Sequence, residues 1–257
     1  MCRDRNHPSV ICWVPFNESW GVQGICDSHD HQDLVRSVVE TTRTLDPTRP
    51  VVDNSGWCHV DTDVVDVHDY DQDPERLRSR WTGLSARGWD RGRFDFAGDA
   101  GTNFDLPTYL RHVGIDDPSD ADPDELRAHL PVVDVWASGC APPAGVRLPL
   151  VLSEFGGVGL VEAAGDTTDR FDYAAAADPA DLLERFRAQV EAVESIPDLS
   201  GWCWTQLSDV EQEINGLLTA DRRPKIEPAL LRAVLDGAPW SSSTGGAPRR
   251  GGVTRDT

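Results

Sequence analysis

The sequence predicts an α/β fold built on a parallel sheet, and three observations carry that prediction. Short, almost wholly apolar, β-branched runs recur along the chain; polar residues begin abruptly at the end of each; and amphipathic helical segments stand between several of them. The 257 residues, 39% of them hydrophobic, suffice for one large domain or two small ones.

Val10-Ile11-Cys12-Trp13-Val14 reads as a strand buried on both faces, with polar residues starting at Asn17. From Gln32 to Leu45 the apolar positions Leu34, Val35, Val38, Val39 and Leu45 recur at helical spacing, and Asp46-Pro47 closes the helix. Pro50-Val51-Val52-Asp53-Asn54 and Val64-Val65-Asp66-Val67-His68 are two further strands, joined by a glycine-containing loop too short for a full helix. A short helix is expected from Pro74 to Trp81.

Residues 82–147 are weakly patterned and read as an insertion; within them Ile115 to Glu125 holds six acids and no base, the composition of a solvated surface. Leu148 to Ser153 is the next buried strand. The helix starting near Asp178-Pro179 places Leu182, Leu183, Phe186, Val190 and Val193 on one face. Gly201 to Thr205 is a fifth strand, and a last helix runs around Ala229 to Leu235. The expected organisation is one domain over 1–240, with 241–257 a Gly/Ser/Arg-rich disordered tail that has nothing to bury.

A net charge of −20 repels phosphate backbones and argues against nucleic acid or an anionic membrane as the main partner. No apolar run approaches the ~20 residues needed to span a bilayer, and Met1 to Arg5 lacks the apolar core of a signal peptide, so a cytoplasmic location is expected. Cys2, Cys12, Cys26, Cys58, Cys140 and Cys203 are scattered without a C-x-x-C pair, which predicts reduced, mostly packed thiols rather than a disulfide framework or zinc site. His29, His31, His59 and His68 fall in different loops without a matching acid pattern, so no zinc or other bound metal is expected, a weak surface cation being left open.

Glu18 and Glu154 each follow directly on a buried strand and therefore share one rim of a parallel sheet. Two facing acids in a desolvated place let one keep its proton while the other stays ionised, the arrangement that glycosidic cleavage requires. On spacing alone, a helix-capping or ion-paired glutamate is an equal reading.

Four segments carry a resemblance. Arg3 to Ile11 running into Asn17-Glu18-Ser19 resembles the acid/base segment of glycoside hydrolase family 2, the family of β-galactosidases, β-glucuronidases and β-mannosidases. Ser153-Glu154-Phe155-Gly156 resembles its nucleophile segment. Gly201 to Gln206, and Asn215-Gly216-Leu217 with Asp221-Arg222-Arg223-Pro224, resemble the family's eighth strand and closing loop.

The resemblance implies a (β/α)8 TIM barrel of which this chain holds about strands four to eight. It implies a retaining β-glycoside hydrolase with Glu18 as general acid/base and Glu154 as nucleophile. Tyr70 would hydrogen-bond the nucleophile, Asn17 and His68 would face the sugar, and Trp204 would offer its indole face to the pyranose. A β-galactoside is expected ahead of a β-glucuronide or β-mannoside, with no cofactor. A half barrel would leave open strand edges, so a second copy of the chain or preceding domains are expected partners beside the carbohydrate. The alternative is a truncated, non-catalytic sugar-binding remnant that keeps the acids without closing the pocket.

Overall fold

The structure, a computed structural model, describes residues 1–83, 93–95, 132–143, 145–160 and 172–237. The acidic run 115–125 and the tail 241–257 lie outside the described residues.

Five parallel segments follow one another in sequence order. The first runs through Trp13 to β1 (Phe16–Asn17) and the second through Val51 to β2 (Asn54–Ser55); they pair at Trp13 with Val51 and at Phe16 with Asn54. The third is β3 (Val65–His68), tied to the second where His68 N–H donates to the Gly56 carbonyl at 3.4 Å. Helix α2 (Pro74–Trp81) comes next. Beyond it, β4 (Arg93–Asp95) and β5 (Val132–Asp134) make an antiparallel pair. The fourth parallel segment, β6 (Leu150–Gly156), pairs with β3, and the fifth, β9 (Leu199–Thr205), pairs with β6. Between these last two stand β7 (Val158–Leu160) and β8 (Ala174–Ala176), a small parallel pair that the sequence reading did not anticipate, and α3 (Pro179–Glu194).

The helices form where caps and apolar spacing agree. Helix α1 (His29–Leu45) starts at Ser28, whose hydroxyl accepts from His31 N–H, and buries Val35 and Val39. Asp73 and Asp178 cap α2 and α3 by accepting two backbone N–H bonds each, with a proline at the first turn of both. Helix α3 buries Leu182, Leu183, Phe186, Val190 and Val193, the face that the periodicity selects. Helix α4 (Pro228–Leu235) buries Val234 against the same core. Among the described residues no helix is long and apolar enough to cross a membrane.

Two expectations are corrected. The segment Val10 to Val14 is not buried on both faces: its described partner is the second segment alone, and Ile11 and Val14 are 77% and 47% exposed. Part of 82–147 packs into the domain, where His59 pairs with Trp136 and where Val135, Trp136 and Ala137 are buried, in keeping with the insertion expected there. The thiols are not all reduced: Cys26 and Cys58 form a disulfide, with Cα atoms 5.3 Å apart. The loop entering α1 and the loop leaving β2 meet at one end of the sheet, a proximity that cysteine spacing in sequence does not encode.

Candidate active site

Glu18 and Ser19 both adopt left-handed backbone conformations, φ 49° and 62°, so the chain turns sharply as it leaves β1. The turn is held from the second segment. Glu18 N–H donates to the Ser55 carbonyl at 2.9 Å and Ser19 N–H to Asn54 Oδ1 at 2.8 Å, while the Trp57 indole N–H donates to Ser19 Oγ at 3.2 Å.

His68 ends β3 and is 1% exposed. Its Nδ1 lies 2.8 Å from Glu18 Oε1; its Nε2 lies 2.8 Å from Ser55 Oγ and 3.4 Å from Glu154 Oε1. Gly56, at φ +108°, permits this: a Cβ there would stand 3.0 Å from the imidazole. Burial disfavours the charged ring, but the hydrogen bond to Glu18 and the charges of Glu154, Glu18 and Asp66 outweigh it and raise the His68 pKa.

A bulge positions the second carboxylate. In the β3–β6 ladder Val67 faces Leu152 but His68 faces Glu154, so β6 carries Ser153 as an extra residue. Two consecutive side chains then reach the same neighbourhood: Ser153 Oγ donates to Asp66 at 2.5 Å, and Glu154 accepts from the Tyr70 hydroxyl. Burial, reinforced by Glu18 and Asp66 and opposed by His68 and Tyr70, raises the Glu154 pKa.

Tyr70 stands on a pinned loop. Asp71 accepts from Arg76 Nε and Nη2 at 2.9 and 2.8 Å, and from Arg80 Nη2 at 3.0 Å; Asp69 accepts from the Trp81 indole at 2.8 Å and from Arg80. Burial pushes the Tyr70 phenol well above its ordinary range, with the carboxylate of Glu154 adding to the shift. Glu18, His68, Tyr70 and Glu154 thus converge, and one oxygen of Glu18 lies within 4.8 Å of one of Glu154.

Asn17 is exposed at the end of β1, next to this cluster in sequence and in register with Ser55. Trp204 is placed differently from an open stacking platform. It is 8% exposed, packs edge-on against Phe155 and Phe186, and lies so close beneath Gly156 that a Cβ there would come within 2.7 Å of its ring. Four residues join the cluster that the sequence reading passed over: Ser55, Asp66, Ser153 and Tyr173. Asp66 had a signal, since it stands two residues before His68 on one strand and shares its face. Tyr173 had none.

Glu18, His68 and Glu154 are also the described group whose donor atoms could embrace a cation. Both ring nitrogens of His68 are already engaged, however, by Glu18 and Ser55, so a cation would have to break those bonds first.

Residues 1–81 match the family model described as glycosyl hydrolases family 2, TIM barrel domain. Curated proteins give no match. Among solved structures, the chain resembles a family 2 β-galacturonidase from Eisenbergiella tayi bound to galacturonate, at 18% identity and a TM-score of 0.50 over 91% of this chain and 34% of that one. A β-D-glucuronidase from Dictyoglomus thermophilum matches at 20% identity and a TM-score of 0.47, covering 92% of this chain and 33% of that one. The chain spans about a third of the length of these structures. At 18% identity the likeness to the β-galacturonidase speaks for the fold alone. The family match thus falls on residues 1–81, the part of the chain that holds Glu18, His68 and Tyr70.

Proposed function

We propose that the protein is a retaining β-glycoside hydrolase in which Glu154 attacks the anomeric carbon and Glu18 protonates the leaving oxygen, then activates water. The observation that carries this reading is the approach of the two carboxylates, with oxygens within 4.8 Å of each other. Retaining enzymes hold their carboxyl groups about 5 to 5.5 Å apart, whereas inverting ones leave about 6.5 to 9.5 Å for a water. The Tyr70 hydroxyl on Glu154 supports the nucleophile role, since it fixes one carboxylate oxygen and leaves the other for the sugar.

The structure of a β-galacturonidase puts a uronide beside the β-galactoside among the glycones to test, and we take the β-galactoside first. The chain spans about a third of the length of the solved structures it resembles, so activity is proposed for the protein that includes these residues. A non-catalytic, sugar-binding remnant that keeps the acids without closing the pocket is the weaker reading, and turnover would exclude it.

The test is incubation with activated 2-fluoro β-glycosides followed by mass spectrometry of the digested protein. An adduct on Glu154 is expected, with the fastest-labelling sugar naming the glycone. No adduct from galactoside, glucuronide or mannoside reagents would overturn the reading.

A further inference from the structure

We propose that Asp66, acting through Ser55, holds His68 as an imidazolium that ties Glu18 and Glu154 together, which makes Asp66, Ser55 and His68 positioning residues of the site. The roles of the two glutamates rest on the proposed function; the charge on His68 does not.

The argument is a count of protons. The Asp66 carboxylate only accepts, and it takes Ser55 Oγ at 2.9 and 3.0 Å, Ser153 Oγ at 2.5 Å and the Gly56 N–H at 3.1 Å. Ser55 has a single hydroxyl proton, and Asp66 receives it. Toward His68 Nε2, 2.8 Å away, the Ser55 oxygen can then only accept, so Nε2 carries a proton. On the other side Nδ1 faces Glu18 Oε1 at 2.8 Å, and with the acid proton of Glu18 on Oε2 that oxygen only accepts. Both ring nitrogens therefore donate, and the ring is positively charged.

The groups that face the imidazole are Glu18 from the β1 turn, Ser55, Gly56 and Trp57 from the second segment, Asp66 from β3 and Glu154 from β6. A cation between the two acids, with Glu18 keeping its proton on Oε2, explains how they can approach within 4.8 Å without driving each other apart. It also fixes Glu18 Oε1, leaving Oε2 to meet the glycosidic oxygen. If Glu18 instead donated its own proton to Nδ1, His68 would be neutral and Glu18 would point its acid proton away from substrate.

The experiment is 15N NMR of histidine-labelled protein, with aryl-glycoside kinetics beside it. In the wild type near pH 6 both His68 nitrogens are expected to be protonated. Ser55→Ala, which removes only the relay oxygen, and Asp66→Asn should each lower the His68 titration midpoint by about one unit. In the kinetics, Asp66→Asn should cost about tenfold or more with phenyl glycosides and little with dinitrophenyl glycosides, whose departure needs no acid. A loss of packing alone would depress both substrates alike. An unprotonated nitrogen in the wild type, or a midpoint that Ser55→Ala leaves unmoved, overturns the proposal. If the NMR result holds while no glycoside is cleaved, the functional reading fails and the charge assignment stands.

Discussion

The Tyr173 ring lies flat on the Tyr70 ring, with centroids 3.6 Å apart and planes 4° from parallel. Tyr70 holds Glu154, so a residue that enters between β7 and β8 sets the position of a group bound to the proposed nucleophile. Replacing Tyr173 by Ala removes a stacked pair worth about 0.5 to 1.5 kcal/mol beyond its buried area. We expect Tyr173→Ala to lower kcat/KM, with Tyr173→Phe close to wild type in stability because the stacking survives. Gly157 supports the same pair: at φ +61° it passes against Tyr173, and a Cβ would come within 2.9 Å of Tyr70. Gly157→Ala should therefore reproduce the loss of activity, measurable by steady-state kinetics beside a thermal melt.

The two carboxylates separate by role. Glu154→Gln should abolish turnover with every leaving group, because no covalent intermediate can form. Glu18→Gln should cost about 10² to 10⁴ with unactivated substrates, the usual worth of a general acid/base, while 2-fluoro reagents with good leaving groups still label Glu154. Equal losses in both variants across leaving groups would show that the roles are wrongly divided.

Much of this was legible because the signals were local. Capping aspartates before prolines mark α2 and α3, and the apolar spacing from Leu182 to Val193 selects the buried face of α3. The five apolar runs give the parallel segments in the correct order, and Glu18 follows its strand as read, whereas Glu154 lies inside β6, two residues before its end. What stayed hidden depends on proximity between distant segments. Ser55 and Asp66 meet only when β2 and β3 lie side by side, and Cys26 meets Cys58 only when two loops share an end of the sheet. The bulge at Ser153 has no mark in Leu150-Val151-Leu152-Ser153-Glu154, yet it decides which way Glu154 points. Trp204 shows the opposite error, a residue whose type fits a sugar platform but whose neighbours Phe155 and Phe186 hold it in the core.

A second buried pair gives the fold a pH window. His59 Nδ1 lies 2.6 Å from Asp53 Oδ1, and its Nε2 meets the Asp66 carbonyl at 2.8 Å; Trp136 packs against the ring. Burial penalises both charges. The pairing with Asp53 outweighs it and raises the His59 pKa; His59 together with the Val60 and Asp61 N–H groups outweighs it and lowers that of Asp53. The Asp53 contribution is present above its unfolded pKa of about 3.9 and is lost as pH falls through the lowered folded value. The His59 contribution is present below its unfolded pKa of about 6.5 and is lost as pH rises through the raised folded value. The pair should therefore stabilise most between about pH 4 and 6.5. Asp53→Ala, which strands the ring, should cost about 3 to 5 kcal/mol within that window. Denaturant midpoints across pH for wild type and variant would check this; parallel curves would exclude the pair as the source.

The disulfide links this stability to the site. Cys58 directly follows Trp57, whose indole N–H and carbonyl engage Ser19 and Asn54, the residues that hold the turn carrying Glu18. Cys26 lies 32 positions away in sequence, so the bond closes a loop that contains all of α1 and β2. Cross-links over such loops stabilise by about 2 to 4 kcal/mol. The Cys26→Ser, Cys58→Ser double variant should melt lower by a corresponding amount. It should also lose activity preferentially with poor leaving groups, because the acid/base turn loses its anchor while Glu154 and Tyr70 keep theirs. Dithiothreitol should produce both effects in the wild type and neither in the double variant. A wild type indifferent to reductant, with a mass that shows both thiols free beforehand, would mean that Trp57 and Asn54 hold the Glu18 turn without covalent help.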